Sequence, residues 1–130
     1  MRTYTTRSGD TILRLAVLFY FRHDMFEYLY LHNRKAIGED IFTLAPNTKL
    51  EIPEPLTADV QHLATSGETS RSLAEKYYGL PEFYARIDEA NDWPPDIIAG
   101  EAYKIPALVS PAEYGAAAQA REELHVEFDR

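Results

Sequence analysis

An α+β fold made of two tandem βααβ units and a C-terminal helical tail is predicted by three features of the 130-residue sequence. A tetrapeptide recurs, apolar residues fall at helical spacing behind each copy, and each copy closes on a short stretch of alternating apolar and charged residues that ends in proline. Ser8-Gly9-Asp10-Thr11 returns 58 residues later as Ser66-Gly67-Glu68-Thr69. The same shift carries Leu15-Ala16 onto Leu73-Ala74, Tyr20 onto Tyr78, Leu29 onto Ile87 and Asn33 onto Asn91. Beyond Asn33 the shift falls to 53, because Leu50-Glu51-Ile52-Pro53 aligns with Tyr103-Lys104-Ile105-Pro106. The second unit therefore has a shorter loop before its closing strand, where surface connections accept insertion and deletion. The divisions that follow are 1–54, a linker at 55–58, 59–107, and a tail at 108–130.

Each element has a local reason. Arg2 to Thr6 is polar and β-branched, suited to an edge strand, and Ser8-Gly9 marks a turn. Ile12, Leu15, Ala16 and Phe19 then fall on one helical face. A second helix is expected from about Asp24, as its N-cap, through Phe26, Leu29 and Tyr30 to Asn33, a left-handed C-terminal cap. In the second unit Leu73, Ala74 and Tyr77 share a face, with Ser70 where Ile12 stood, and Pro81-Glu82 opens the next helix. Phe83, Tyr84 and Ile87 face inward from it, and Tyr103 to Pro106 closes the sheet. Ser110-Pro111-Ala112-Glu113 has the form of a capping box, starting a helix through Ala116, Ala120 and Leu124 that belongs to neither repeat.

Composition narrows the function. The apolar share of 45%, with nine tyrosines and six phenylalanines, is that of a globular chain. A net charge of −8 disfavours a nonspecific grip on nucleic acid or on anionic membranes. With no cysteine there is no disulfide framework, thiolate metal site or cysteine nucleophile. The run Ile12 to Phe21 carries Arg14 and is about half the length a membrane-spanning helix needs. Arg22, His23 and Asp24 follow it where a signal peptide has small residues, so the expectation is a core helix in a protein made in the cytoplasm.

The succession Tyr4-Thr5-Thr6-Arg7-Ser8-Gly9-Asp10-Thr11, Leu15-Ala16, Tyr20, Leu29 to Asn33, Ala45-Pro46-Asn47 and Leu50-Glu51-Ile52-Pro53 resembles a LysM unit. Its opening, with Ile41-Phe42 and the Ile52-Pro53-Glu54 ending, is most similar to the tail protein X family of contractile-tailed phages. The second unit is similar to LysM through Thr65 to Thr69, Asn91, Asp96-Ile97-Ile98-Ala99-Gly100 and Ile105-Pro106. Asn47 stands where the family has glycine, and asparagine enters the left-handed region more readily than most residues. Glu68 replaces the first unit's aspartate, which leaves Ser66 or Thr69 to cap the helix.

The resemblance implies two LysM-like units in a non-enzymatic structural component of a phage tail, tailocin or injection-system baseplate. Such a component joins the central hub or spike and tube to wedge or sheath-initiator proteins, in multiple copies per particle. It also implies an alternative, a LysM module that binds an N-acetylglucosamine-containing glycan such as peptidoglycan. In that reading Ser66, Gly67, Thr69, Ile98 and Gly100 line a groove and Trp93 stacks on a sugar face.

The residues themselves offer no persuasive catalytic constellation, metal site or cofactor motif. The four histidines at 23, 32, 62 and 125 have no recognised ligand spacing, and Asp10 and Glu68 fall where a helix start needs an acceptor. The first unit is instead too apolar to live alone. Leu13, Leu15 to Phe21, then Phe26 and Tyr28 to Leu31, make both its helices apolar nearly all round. A unit of that size buries only one face of each, so a second surface, either the other unit or a partner protein, is required. Phe19, Phe21, Phe26, Tyr28, Tyr30 and Phe42 are the expected partner-facing residues, together with Leu124 and Phe128 if the tail is an arm rather than a marginal surface helix. Charge follows the same division: residues 1–53 carry +1, 54–106 carry −6 and 107–130 carry −3. A near-neutral anchor joined to an acidic outer part fits that pattern.

Overall fold

The computed structural model describes residues 2–130. They form two compact α+β units, one running to Glu54 and including Pro111–Arg130, the other spanning Pro55–Ser110. The tail, expected as a separate extension, is thus part of the first unit, and the expected linker belongs to the second. There Pro55 is buried and the Leu108 N–H donates to the Leu56 carbonyl at 2.8 Å.

In unit 1, β1 (Arg2–Thr5) pairs antiparallel with β2 (Lys49–Ile52), with Tyr4 opposite Leu50. Between them run α1 (Ile12–Tyr20), a 3-10 turn at His23–Met25 that leads into α2 (Phe26–His32), and the short α3 (Arg34–Ile37). Unit 2 repeats the order without a counterpart of α3. β3 (Val60–Leu63) pairs antiparallel with β4 (Ala102–Ile105), enclosing α4 (Ser70–Tyr78), a 3-10 turn at Pro81–Phe83 and α5 (Tyr84–Ala90). α6 (Pro111–Glu123) follows and packs on α1.

Equivalent residues build both cores. Leu15, Ala16, Tyr20, Leu29, Leu50 and Ile52 are buried in unit 1; Leu73, Ala74, Tyr78, Ile87, Tyr103 and Ile105 are buried in unit 2. Tyr20 donates to the Pro53 carbonyl at 2.9 Å and Tyr78 to the Pro106 carbonyl at 2.6 Å, so each first helix is tied to the end of its closing strand. Buried tyrosines satisfy their hydroxyls this way.

The two asparagines act differently from a left-handed cap. Asn33 has φ −127° and Asn91 φ −118°. Asn33 Nδ2 donates to the Leu29 and Glu51 carbonyls at 2.9 and 2.8 Å, while its Oδ1 accepts from the Glu51 N–H at 2.7 Å. Asn91 repeats all three bonds, to Ile87 and Lys104, at 2.7, 2.8 and 2.9 Å. One amide side chain thereby caps a helix carbonyl and pairs with the middle of a strand. The expected Asp24 N-cap is also not formed: Asp24 lies in the 3-10 turn and pairs with Arg22 at 2.6 Å.

α6 answers the apolar surplus of α1. Arg121 is buried against it, donates to the Leu18 carbonyl at 2.8 Å, and lies over the rings of Phe19 and Phe128 at 5.2 and 5.1 Å. A guanidinium at the end of a helix serves carbonyls that lack an intrahelical partner. The equivalent α4 needs no such cover, because Glu75, Lys76 and Tyr77 stand where α1 has Val17, Leu18 and Phe19.

Candidate functional site

The turn between the first strand and the first helix is built alike in both units. Gly9 and Gly67 take φ +90° and +85°, a left-handed conformation that glycine adopts without strain. Thr11 and Thr69, not Asp10 and Glu68, are the helix N-caps, accepting from the N–H groups of Arg14 and Ser72 at 3.2 and 3.0 Å. The carboxylates close the turn instead. Asp10 accepts from the Arg7 N–H at 2.8 Å and the Tyr4 hydroxyl at 2.7 Å. Glu68 accepts from the Thr65 N–H at 2.6 Å and lies 2.9 Å from His62 Nε2.

His62 stands where unit 1 has Tyr4, buried, with its Nδ1 2.6 Å from the Tyr77 hydroxyl. The hydrogen bond from His62, then that from the Thr65 N–H, holds the Glu68 carboxyl down to about 2. In unit 1, burial and then the bond to Asp10 push the Tyr4 phenol up to about 12. The His62–Glu68 contact was not expected from local spacing, yet the repeat itself contains it, since the shift of 58 places His62 on Tyr4 and Glu68 on Asp10.

On the same side of unit 2 a cleft of about 140 Å³ lies between this turn and the loop before β4. Glu68, Thr69, Ser70, Asp88 and Pro94–Ile97 line it. Ser70 donates to Asp88 at 3.3 Å, while both His62 nitrogens are engaged by Tyr77 and Glu68. Of the expected glycan-contacting residues only Thr69 is at the cleft. Ser66, Gly67, Ile98 and Gly100 are exposed outside its lining, with Gly100 at φ +89°. Trp93 is 58% exposed and also outside the lining, thrown outward by two successive left-handed residues, Asp92 (φ 61°) and Trp93 itself (φ 52°). It does not cover the core. Among the described residues no three His, Asp or Glu side chains converge as a metal-binding group, and no helix is long and apolar enough to cross a membrane.

The expected partner-facing residues of unit 1 separate into two sets. Phe19 is only 1% exposed, sealed by Phe128 at 5.3 Å and by Arg121. Tyr28 is buried with its ring against Tyr20 and its hydroxyl on the Glu54 carbonyl at 3.2 Å. Neither can face a partner, because the tail and the core already cover them. Phe26, Tyr30 and Phe128 are half-buried. Phe21, Phe42 and Leu124 are exposed, the first two at 47% and 63%.

Phe42 belongs to the longer loop of unit 1, in a turn closed by Asp40. Asp40 accepts from its N–H at 3.1 Å and from the Thr43 hydroxyl at 2.6 Å, while its ring rests 6.4 Å from that of Phe26. Phe21 caps α1 at φ 64°, the left-handed position that Gly79 fills at φ 74° at the end of α4. Compared with models of known protein families and with curated proteins, the chain matches none.

Proposed function

We propose that this chain is a non-enzymatic structural component of a contractile phage tail, tailocin or injection-system baseplate, its two LysM-like units joining hub or tube to the surrounding proteins. The observation that carries the reading is Phe21. A bulky residue at positive φ is strained, and glycine fills the same cap in the sister unit. Phe21 nonetheless leaves 47% of its surface exposed, and such strain is retained where a surface is used. Phe42, presented by an ordered turn, supplies a second apolar anchor of the kind that dominates interfaces. Purified chain is expected to co-purify with candidate hub and wedge proteins, and Phe21→Ser with Phe42→Ser is expected to abolish this while leaving the fold intact. Undiminished co-purification of the double variant contradicts the assignment of those two residues.

The alternative, glycan binding, is favoured by the polar cleft between the Thr65–Thr69 turn and the loop before β4. Sedimentation with insoluble peptidoglycan separates the two. Robust co-pelleting at moderate salt supports the glycan reading and counts against the adaptor; no co-pelleting leaves the adaptor standing.

A further inference from the structure

A two-stranded sheet has two outer edges, and on three of the four in this chain at least one outward-facing residue is already bonded. On β2 the outward N–H and C=O of Glu51 are taken by Asn33, and on β4 those of Lys104 by Asn91. Along β1 lies the end of the chain itself. The Asp129 N–H donates to the Thr3 carbonyl at 2.8 Å, and the Asp129 carboxylate accepts from the Thr5 N–H at 3.1 Å and from the hydroxyls of Thr3 and Thr5 at 3.1 and 2.9 Å.

β3 is different. Its register and the bond from the Ala64 N–H to the Glu101 carbonyl leave the backbone groups of Gln61 and Leu63 facing away from β4, as those of Thr3 and Thr5 face away from β2. Among the described residues nothing pairs with them. Leu63 is 66% exposed, and the strand Val60-Gln61-His62-Leu63 carries no lysine or proline to guard its edge.

We propose that the free edge of β3 is a docking edge for an extended segment of a partner protein, basic in charge and apolar opposite Leu63. In unit 1 the outward groups of the first strand are taken by a passing segment, through one backbone bond and the Asp129 carboxylate. Charge then chooses the occupant of β3. Residues 55–110 carry nine acidic and four basic side chains, so an acidic segment is repelled and a basic one attracted. The chain's own end, as supplied by a second copy, fits poorly for two reasons. It holds Glu122, Glu123, Glu127 and Asp129, and the threonine hydroxyls that grip Asp129 on β1 are replaced on β3 by Gln61 and Leu63. An apolar cross-strand neighbour for Leu63 completes the match. The proposal rests on edge geometry and charge, and stands or falls apart from the adaptor reading.

The test is residue-resolved amide hydrogen exchange on the full chain with a short peptide alternating lysine and valine, and with its glutamate counterpart. The basic peptide is expected to slow exchange at Gln61 and Leu63 by about tenfold or more, with no change at Thr5, and the acidic peptide to do nothing. Gln61→Pro removes an outward N–H without breaking a bond to β4 and is expected to abolish the effect. Protection of the α4 amides in the same exchange experiment reports whether unit 2 remains folded in that variant. Should it unfold, Leu63→Lys, which alters only an exposed side chain, is expected to show the same loss. No slowing with the basic peptide, or equal slowing with both peptides, overturns the proposal. So does protection that grows with protein concentration alone, which assigns the edge to a second copy.

Discussion

At the scale of single residues, the duplicated asparagines and turn carboxylates carry more of the fold than their sequence signal suggests. Asn33 is buried and makes three bonds that join α2 to β2. Asn33→Ala leaves the Leu29 and Glu51 backbone groups short of partners, and is expected to lower stability by about 1–3 kcal/mol in urea unfolding. Glu68 gives a pH dependence of definite sign. Its carboxyl titrates at about 2 in the folded chain, below its ordinary 4.5, so its contribution is complete above the ordinary value and is lost as pH falls toward 2. Thermal unfolding followed across that window is expected to fall less steeply for Glu68→Gln than for the parent. Phe21→Gly is expected to raise stability by about 1 kcal/mol, through relief of the left-handed strain at the end of α1. A gain in stability coupled to a loss of partner binding is the signature of a residue kept for its surface.

At the scale of elements, the tail is the part the sequence described least well. The helix starting at Pro111 was legible from its proline and capping pattern, but its place was not. An apolar stripe would have revealed a docked face, and α6 has none: its buried residues are Ala117 and Arg121, an alanine among many and a charged side chain. The apolar surplus of α1 points to a cover from the other unit or a partner, and the structure supplies it instead from this tail. Phe19→Ser is therefore expected to cost about 3–5 kcal/mol by opening the core, rather than to block a partner selectively. Removing residues 126–130 takes Phe128 off Phe19 and uncovers β1. Faster amide exchange at Thr5 and a loss of about 1–3 kcal/mol are expected, measured by hydrogen exchange and urea unfolding.

At the scale of the whole molecule, the repeat made the topology legible: a shift of 58 across the first strand and helices, then 53 at the closing strand, matches the order β1-α1-α2-β2 and β3-α4-α5-β4, with the short α3 of unit 1 as the extra element in the longer loop. Exposure was not legible, because periodicity counts apolar residues without saying which the chain's far end will cover. Of the residues expected to face partners, Phe21 and Phe42 keep large exposed rings, and on them the architectural reading now stands. The most direct measurement is quantitative mass spectrometry of contractile particles purified from producing cells, comparing the parent chain with the Phe21→Ser, Phe42→Ser variant. A fixed ratio of chain to hub protein in the parent, lost in a variant that is still folded and soluble, is the expected result. Particles that are complete and infective or lethal without any of this chain would contradict the account.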